Sequence, residues 1–254
     1  MKVKVKKEGK QKIYKIVDSW NDVTLEKWQQ LVLGKRKSKT QEAKETIKAL
    51  SDLPVKLIEE MALSDVATIF ERLSKLQIEG KLKKVFEIDE VEYGFLPNLD
   101  EITLGEWADI EHNIKDGLEK NIHKIMSVLF RPITSKEGKL YSVEAYKDGK
   151  QRAEKFRKKM SATQVQQSLV FFLAFRKRTI EDFAVLFDGS DEEDTGGNEF
   201  TKKWGYFGLM YRLTGGDFSK LEAITERPLL EALTWLCYEL DLNETQKVKR
   251  NGNR

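Results

Sequence analysis

The stretch Glu101-Ile102-Thr103-Leu104-Gly105-Glu106-Trp107 has a counterpart 79 positions earlier (103 minus 24), Asp22-Val23-Thr24-Leu25-Glu26-Lys27-Trp28. Threonine before an apolar helical pattern is an N-cap, because its hydroxyl accepts a hydrogen bond from an otherwise unpaired amide of the first turn. Leucine and tryptophan, one turn apart, then lay a large apolar pair over whatever precedes the helix. The match extends in both directions. Tyr14 and Ile16 stand where Tyr93 and Phe95 stand, and the run Ile47 to Leu50 with Pro54 resembles Ile125 to Leu129 with Pro132. The chain therefore reads as a hairpin–helix unit used twice.

Upstream of each motif the period changes to two. Lys2-Val3-Lys4-Val5-Lys6 alternates before a polar turn at 7–10 and a second strand over 12–17. The run Val85 to Phe95 alternates about an Asp89-Glu90 turn. Such patterns are half-buried strands, so each pair forms a β-hairpin. An isolated hairpin is marginal in water, and these are expected to pair or to lie on helices.

Everything else is helical in period or polar. Apolar residues three and four apart predict helices over 25–32, 41–53, 55–61, 64–76 (with Ser64 as cap) and 104–130, the last kinked at Gly117 and stopped by Pro132. Further helices are predicted over 143–159, 161–187 (capped by Ser161), 200–213, 218–225 and 228–240. An acidic, glycine-rich loop occupies 188–197, and the last dozen residues form a frayed polar tail. The loop 188–198 and the tail from 243 are too polar to order themselves without a partner. The fold class is mainly α, a bundle-like helical domain with two small β-hairpins and an internal duplication. Its divisions fall at 1–80 and 81–135 for the two units, 136–242 for a helical C-terminal portion, and 243–254 for the tail.

Composition narrows the function by exclusion. Of 254 residues, 45 are Lys or Arg and 42 are Asp or Glu, so the net charge of +3 does not announce a nucleic-acid binder. The longest uninterrupted apolar run, Leu169 to Phe175, is far short of the ~20 residues that cross a bilayer, so no membrane partner is expected. A single cysteine, Cys237, excludes an intrachain disulfide and reads as a small core residue. His112 and His123 have no second ligand four residues away and read as surface or boundary residues. The acidic loop lacks the alternating register of a calcium site. No phosphate-binding, zinc-protease or nucleophile-elbow motif occurs. No catalytic residue, metal or cofactor is expected, and the chain reads as non-enzymatic.

Two features remain. Lys147, Lys150, Arg152, Lys155, Arg157, Lys158 and Lys159 crowd one predicted helix, with further lysines at the start of the chain. This is the basis of an alternative reading, a nucleic-acid-binding accessory protein using the basic helix 147–159. The run from Trp204 through Tyr206 and Phe207 to Tyr211 is apolar nearly all round. Beyond what a core consumes, such a helix presents a face to a partner.

The runs Ile102 to Glu111, Asn121 to Pro132 and Met160 to Leu173 resemble small proteins from structural gene clusters of tailed bacteriophages. The stretch Trp204 to Asp217, followed by Leu229-Leu230-Glu231-Ala232-Leu233, is similar in style to tail assembly chaperones. That resemblance implies a phage morphogenesis or virion protein: a tail, connector or cargo component, or a tail assembly chaperone. Its partners would be other phage structural proteins or further copies of itself, in the host cytoplasm during assembly or in the virion. It implies no catalytic residues.

Overall fold

A computed structural model describes residues 2–7, 10–34, 38–77, 80–147, 149–187 and 204–252. Strands β1 (Lys2–Lys7) and β2 (Lys10–Lys15) lead into α1 (Leu25–Leu33), α2 (Lys39–Ala49), α3 (Val55–Glu60) and α4 (Leu63–Ser74). Strands β3 (Val85–Ile88) and β4 (Val91–Phe95) lead into α5 (Leu104–Lys115) and α6 (Leu118–Leu129), then β5 (Phe130–Glu137) and β6 (Leu140–Val143). Helices α7 (Lys150–Lys159), α8 (Ala162–Asp182), α9 (Ala184–Phe187), α10 (Tyr206–Leu213), α11 (Leu221–Thr225) and α12 (Leu229–Gly252) come after them. The fold is mainly helical, with one two-stranded and one four-stranded antiparallel sheet, the latter in the order β3-β4-β5-β6.

Residues 79 apart do the same local work. Thr24 accepts from the Lys27 amide and Thr103 from the Glu106 amide, each capping its helix. Only the second is a full capping box, because Glu106 returns the bond to the Thr103 amide. A 3-10 turn precedes each cap, at Trp20–Asp22 and at Leu99–Glu101. The Val17 amide donates to Leu50 O at 2.9 Å, and the Leu96 amide to Leu129 O at 2.8 Å. Ile16 bridges Ser51 as Phe95 pairs with Phe130. Each cap also pairs antiparallel with the start of a later helix, Thr24 with Ser161 and Thr103 with Pro228.

Two cores result. The smaller gathers Ile16, Ile47, Leu50, Ile58, Val66 and Ile69 from β2 through α4. The larger stacks Phe95, Phe130, Phe156 and Phe172 with a fully buried Trp107. Half-buried Trp28 packs against both, which ties the units together.

Several expectations change. Residues 104–130 are two helices divided at Gly117, whose φ of +113° glycine tolerates where a side chain would be strained. Pro132 does not simply stop a helix: it lies in β5, opposite Tyr93, and residues 130–143 form a third hairpin. The sheet tolerates this proline because its backbone faces β6, where its carbonyl accepts from Glu144 at the last rung. The hairpin at 85–95 is thus half of a four-stranded sheet, and the two predicted hairpins do not pair with each other. Ser64 is not a cap; α4 starts from Ala62 without a side-chain cap. The basic helix starts at Lys150, because Val143 is consumed by β6. Helix α12 runs on through Gly252, so residues after 240 continue the helix where a frayed tail was expected. The loop 188–198 lies outside the described residues.

Candidate functional site

Helix α12 carries two stripes on opposite sides. Leu229, Ala232, Leu233 and Leu236 are buried, and the first three anchor it to the larger core. Trp235, Tyr238 and Leu242, spaced three, four and seven apart, form a second stripe that is 59%, 60% and 41% exposed. Helix α10 lies against α12, linked by Arg212 to Glu239 at 3.6 Å. It adds exposed Phe207 and Tyr211, with exposed Trp204 packed on Phe207. Phe218, just beyond α10, is 81% exposed. Solvent therefore meets two tryptophans and several other large apolar side chains on two neighbouring helices and the segments beside them. Scattered apolar residues need no explanation, but this many exposed aromatics on adjoining elements suit an interface.

The sequence-predicted partner residues divide across this surface. Trp204, Phe207 and Tyr211 are on it, whereas Tyr206 turns inward against Trp107 and Phe187, and burial raises its phenol above the ordinary tyrosine range. Trp235, Tyr238 and Leu242 are not among the residues singled out from sequence, although their spacing opposite the 229–233–236 stripe is visible there. Cys237 is half-buried beside them, not a core residue.

The basic helix is largely tied into the fold. Arg152 donates through Nε to Ser127 O at 2.9 Å, and burial, with Arg131 nearby, lowers its guanidinium. Arg157 holds Glu26 of α1 and Glu154 of its own helix, tying α7 to the first unit. Lys155 and Lys159 both hold Asp89 in the β3–β4 turn, which keeps that carboxyl below its usual range. Lys150 and Lys158 are exposed.

A second feature is a cleft of about 1050 Å³ between β6, the start of α5 and α11. At its floor Arg131 of β5 pairs with Glu106 of α5 at 2.9 Å, both almost fully buried. Burial lowers the Arg131 guanidinium and Glu106 opposes that shift. Tyr146 donates to Asp109 at 2.7 Å, and Tyr141 donates to Phe95 O at 2.6 Å across Gly94, where a side chain would collide with the Tyr141 ring. Burial raises both phenols. This constellation left no sequence signal, because it requires β5 to be seated beside α5.

Of the histidines, His112 is exposed and His123 is half-buried with Nε2 3.8 Å from Glu154. Among the described residues no group of three or more His, Cys, Asp or Glu is arranged to hold a metal, and no helix is long and apolar enough to cross a membrane. No protein family, curated protein or solved structure matches the chain.

Proposed function

We propose that this chain is a non-catalytic, protein-binding component of tailed-bacteriophage particle assembly, built from a duplicated hairpin–helix unit. It acts in the host cytoplasm, either entering the virion as a tail, connector or cargo component or serving as a tail assembly chaperone. The observation that carries the reading is the aromatic face of α10 and α12, where Trp235, Tyr238, Phe207 and Tyr211 are exposed together. Large aromatics supply most of the energy of protein interfaces when they become buried in a partner. The shared 79-residue offset of caps, turns and bridges supports the duplication.

Mass spectrometry of purified particles, together with crosslinking of the tagged chain in infected cells, tests this. A virion component is recovered in the particles, whereas a chaperone is recovered only in lysate, crosslinked to a tail protein through α10 or α12. Recovery solely as an uncrosslinked monomer, with particle assembly unchanged in its absence, refutes both variants.

A further inference from the structure

We propose that the cleft beside β6 takes an extended, lysine- or arginine-bearing peptide segment of a partner protein, which adds to the four-stranded sheet as a fifth strand. The proposal does not rest on the exposed aromatics of α10 and α12, none of which lines the cleft.

The first support is the strand edge. β6 ends the order β3-β4-β5-β6, and no described segment pairs with its outer side. The Glu144 amide bonds back to Pro132 O at 2.9 Å. Antiparallel ladders alternate inward and outward residues, so Val143, and Tyr141 two positions earlier, direct their backbone N–H and C=O away from β5. Native edges are commonly protected by lysine or proline. β1 has alternating lysines, whereas Leu140-Tyr141-Ser142-Val143 has no charge at all. The unbroken run 141–146 lines the cleft, so the open edge faces it.

Charge selects the occupant. Glu101, Asp109, Glu144 and Glu226 line the same cleft, and Arg131, the cationic residue among its described lining, is already held by Glu106. In a chain of net charge +3 this acidity is local, and it favours a cationic strand over a neutral or acidic one. Arg131, 7% exposed and held by Glu106, closes the floor beneath these carboxylates. Main-chain pairing would give affinity, and the carboxylates would choose side chains.

Fluorescence anisotropy of labelled acetyl-(Lys-Val)4-amide against the full chain tests this, with acetyl-(Glu-Val)4-amide as control. Val143→Pro removes one outward N–H at an edge position where proline is tolerated. Glu144→Gln with Glu226→Gln removes charge without touching the sheet. The expected result is saturable binding of the lysine peptide, none of the glutamate peptide, and weakening of about tenfold or more in each variant at unchanged thermal midpoint. If Val143→Pro misfolds, the glutamine pair decides. Equal binding of both peptides, or lysine-peptide binding that survives the folded variants, overturns the proposal. Self-association abolished by Val143→Pro would give the edge to a second copy and overturn the assignment to a partner peptide.

Discussion

Replacing Glu106 by leucine removes two things at once. Glu106 returns the capping-box bond to the Thr103 amide at 2.9 Å, a contribution of about 1 kcal/mol. It also neutralises Arg131, and the two side chains are only 3% and 8% exposed. Removing one partner of such a pair strands a buried charge and costs about 3–5 kcal/mol. The Arg131 backbone is held between β4 and β6, so relief is limited to what the guanidinium gains by turning toward the cleft. The terms overlap, and a net loss of about 4 kcal/mol is expected, a large fraction of the stability of an ordinary domain. Adding Arg131→Met removes the stranded charge and should restore at least about 2 kcal/mol, since apolar replacement of a whole buried pair is often neutral. Urea unfolding followed by circular dichroism measures Glu106→Leu, Arg131→Met and the double variant. A single variant that loses less than about 1 kcal/mol, or a double variant destabilised by the plain sum of the singles, would refute the claim that the pair is coupled and desolvated.

Alanine at Trp235 and Tyr238 together should change stability by no more than about 1 kcal/mol, because both are mostly exposed, while abolishing crosslinks to a partner; a large stability loss would mark the stripe as core. Neutralising Lys155, Arg157, Lys158 and Lys159 should lower the thermal midpoint modestly, with the difference fading in high salt as the Asp89 and Glu26 contacts are screened. Filter binding of the parent chain should retain no DNA at moderate salt, and retention lost in that quadruple variant would restore the nucleic-acid reading. Burial holds the His123 imidazole below its usual value of 6.5, outweighing the attraction of Glu154, with Lys124 and Arg157 reinforcing the shift. A depressed histidine stabilises the fold fully above 6.5 and loses that contribution as pH falls through its folded value. Stability should therefore decline on acidification from pH 7 to 5, and His123→Gln should flatten that slope.

Features legible in the chain are those whose causes are local. Thr24, Thr103 and Ser161 each accept from the amide three residues on, so capping chemistry places three helix starts correctly. Gly117 marks a break in an otherwise continuous apolar face for the same reason. The hairpin at 130–143 escapes because Ser135, Lys136 and Glu137 dilute its alternation, and because proline argues against a strand until its neighbours are known. The continuation of α12 escapes because residues 243–246 are polar and exposed, with no apolar stripe to mark a helix. The basic helix is legible as charge, but not as charge already paired. That requires knowing that the β3–β4 turn and α1 lie beside it.

The two units keep step until Ser51 and Phe130, and beyond those positions they diverge in local structure. In the first unit, Ser51 turns its hydroxyl back to Ile47 O at 2.6 Å, and Asp52 accepts the Lys15 amide at 2.6 Å. Those polar side chains satisfy the backbone after a single bridge, and Pro54 then starts α3. In the second unit, Phe130, Arg131 and Pro132 carry on for three rungs against β4, helped by Gly94, whose bare Cα leaves room for Tyr141. That continuation brings Arg131 to Glu106 and makes β6 an open edge. Counting back 79 places, the positions of Arg131 and Glu106 are Asp52 and Lys27, so the first unit has opposite charges there and no third hairpin. The acidic cleft is thus not a consequence of the pattern that the two segments share. It arises where the second unit departs from it, and a peptide ligand that needs that edge has no equivalent seat in the first.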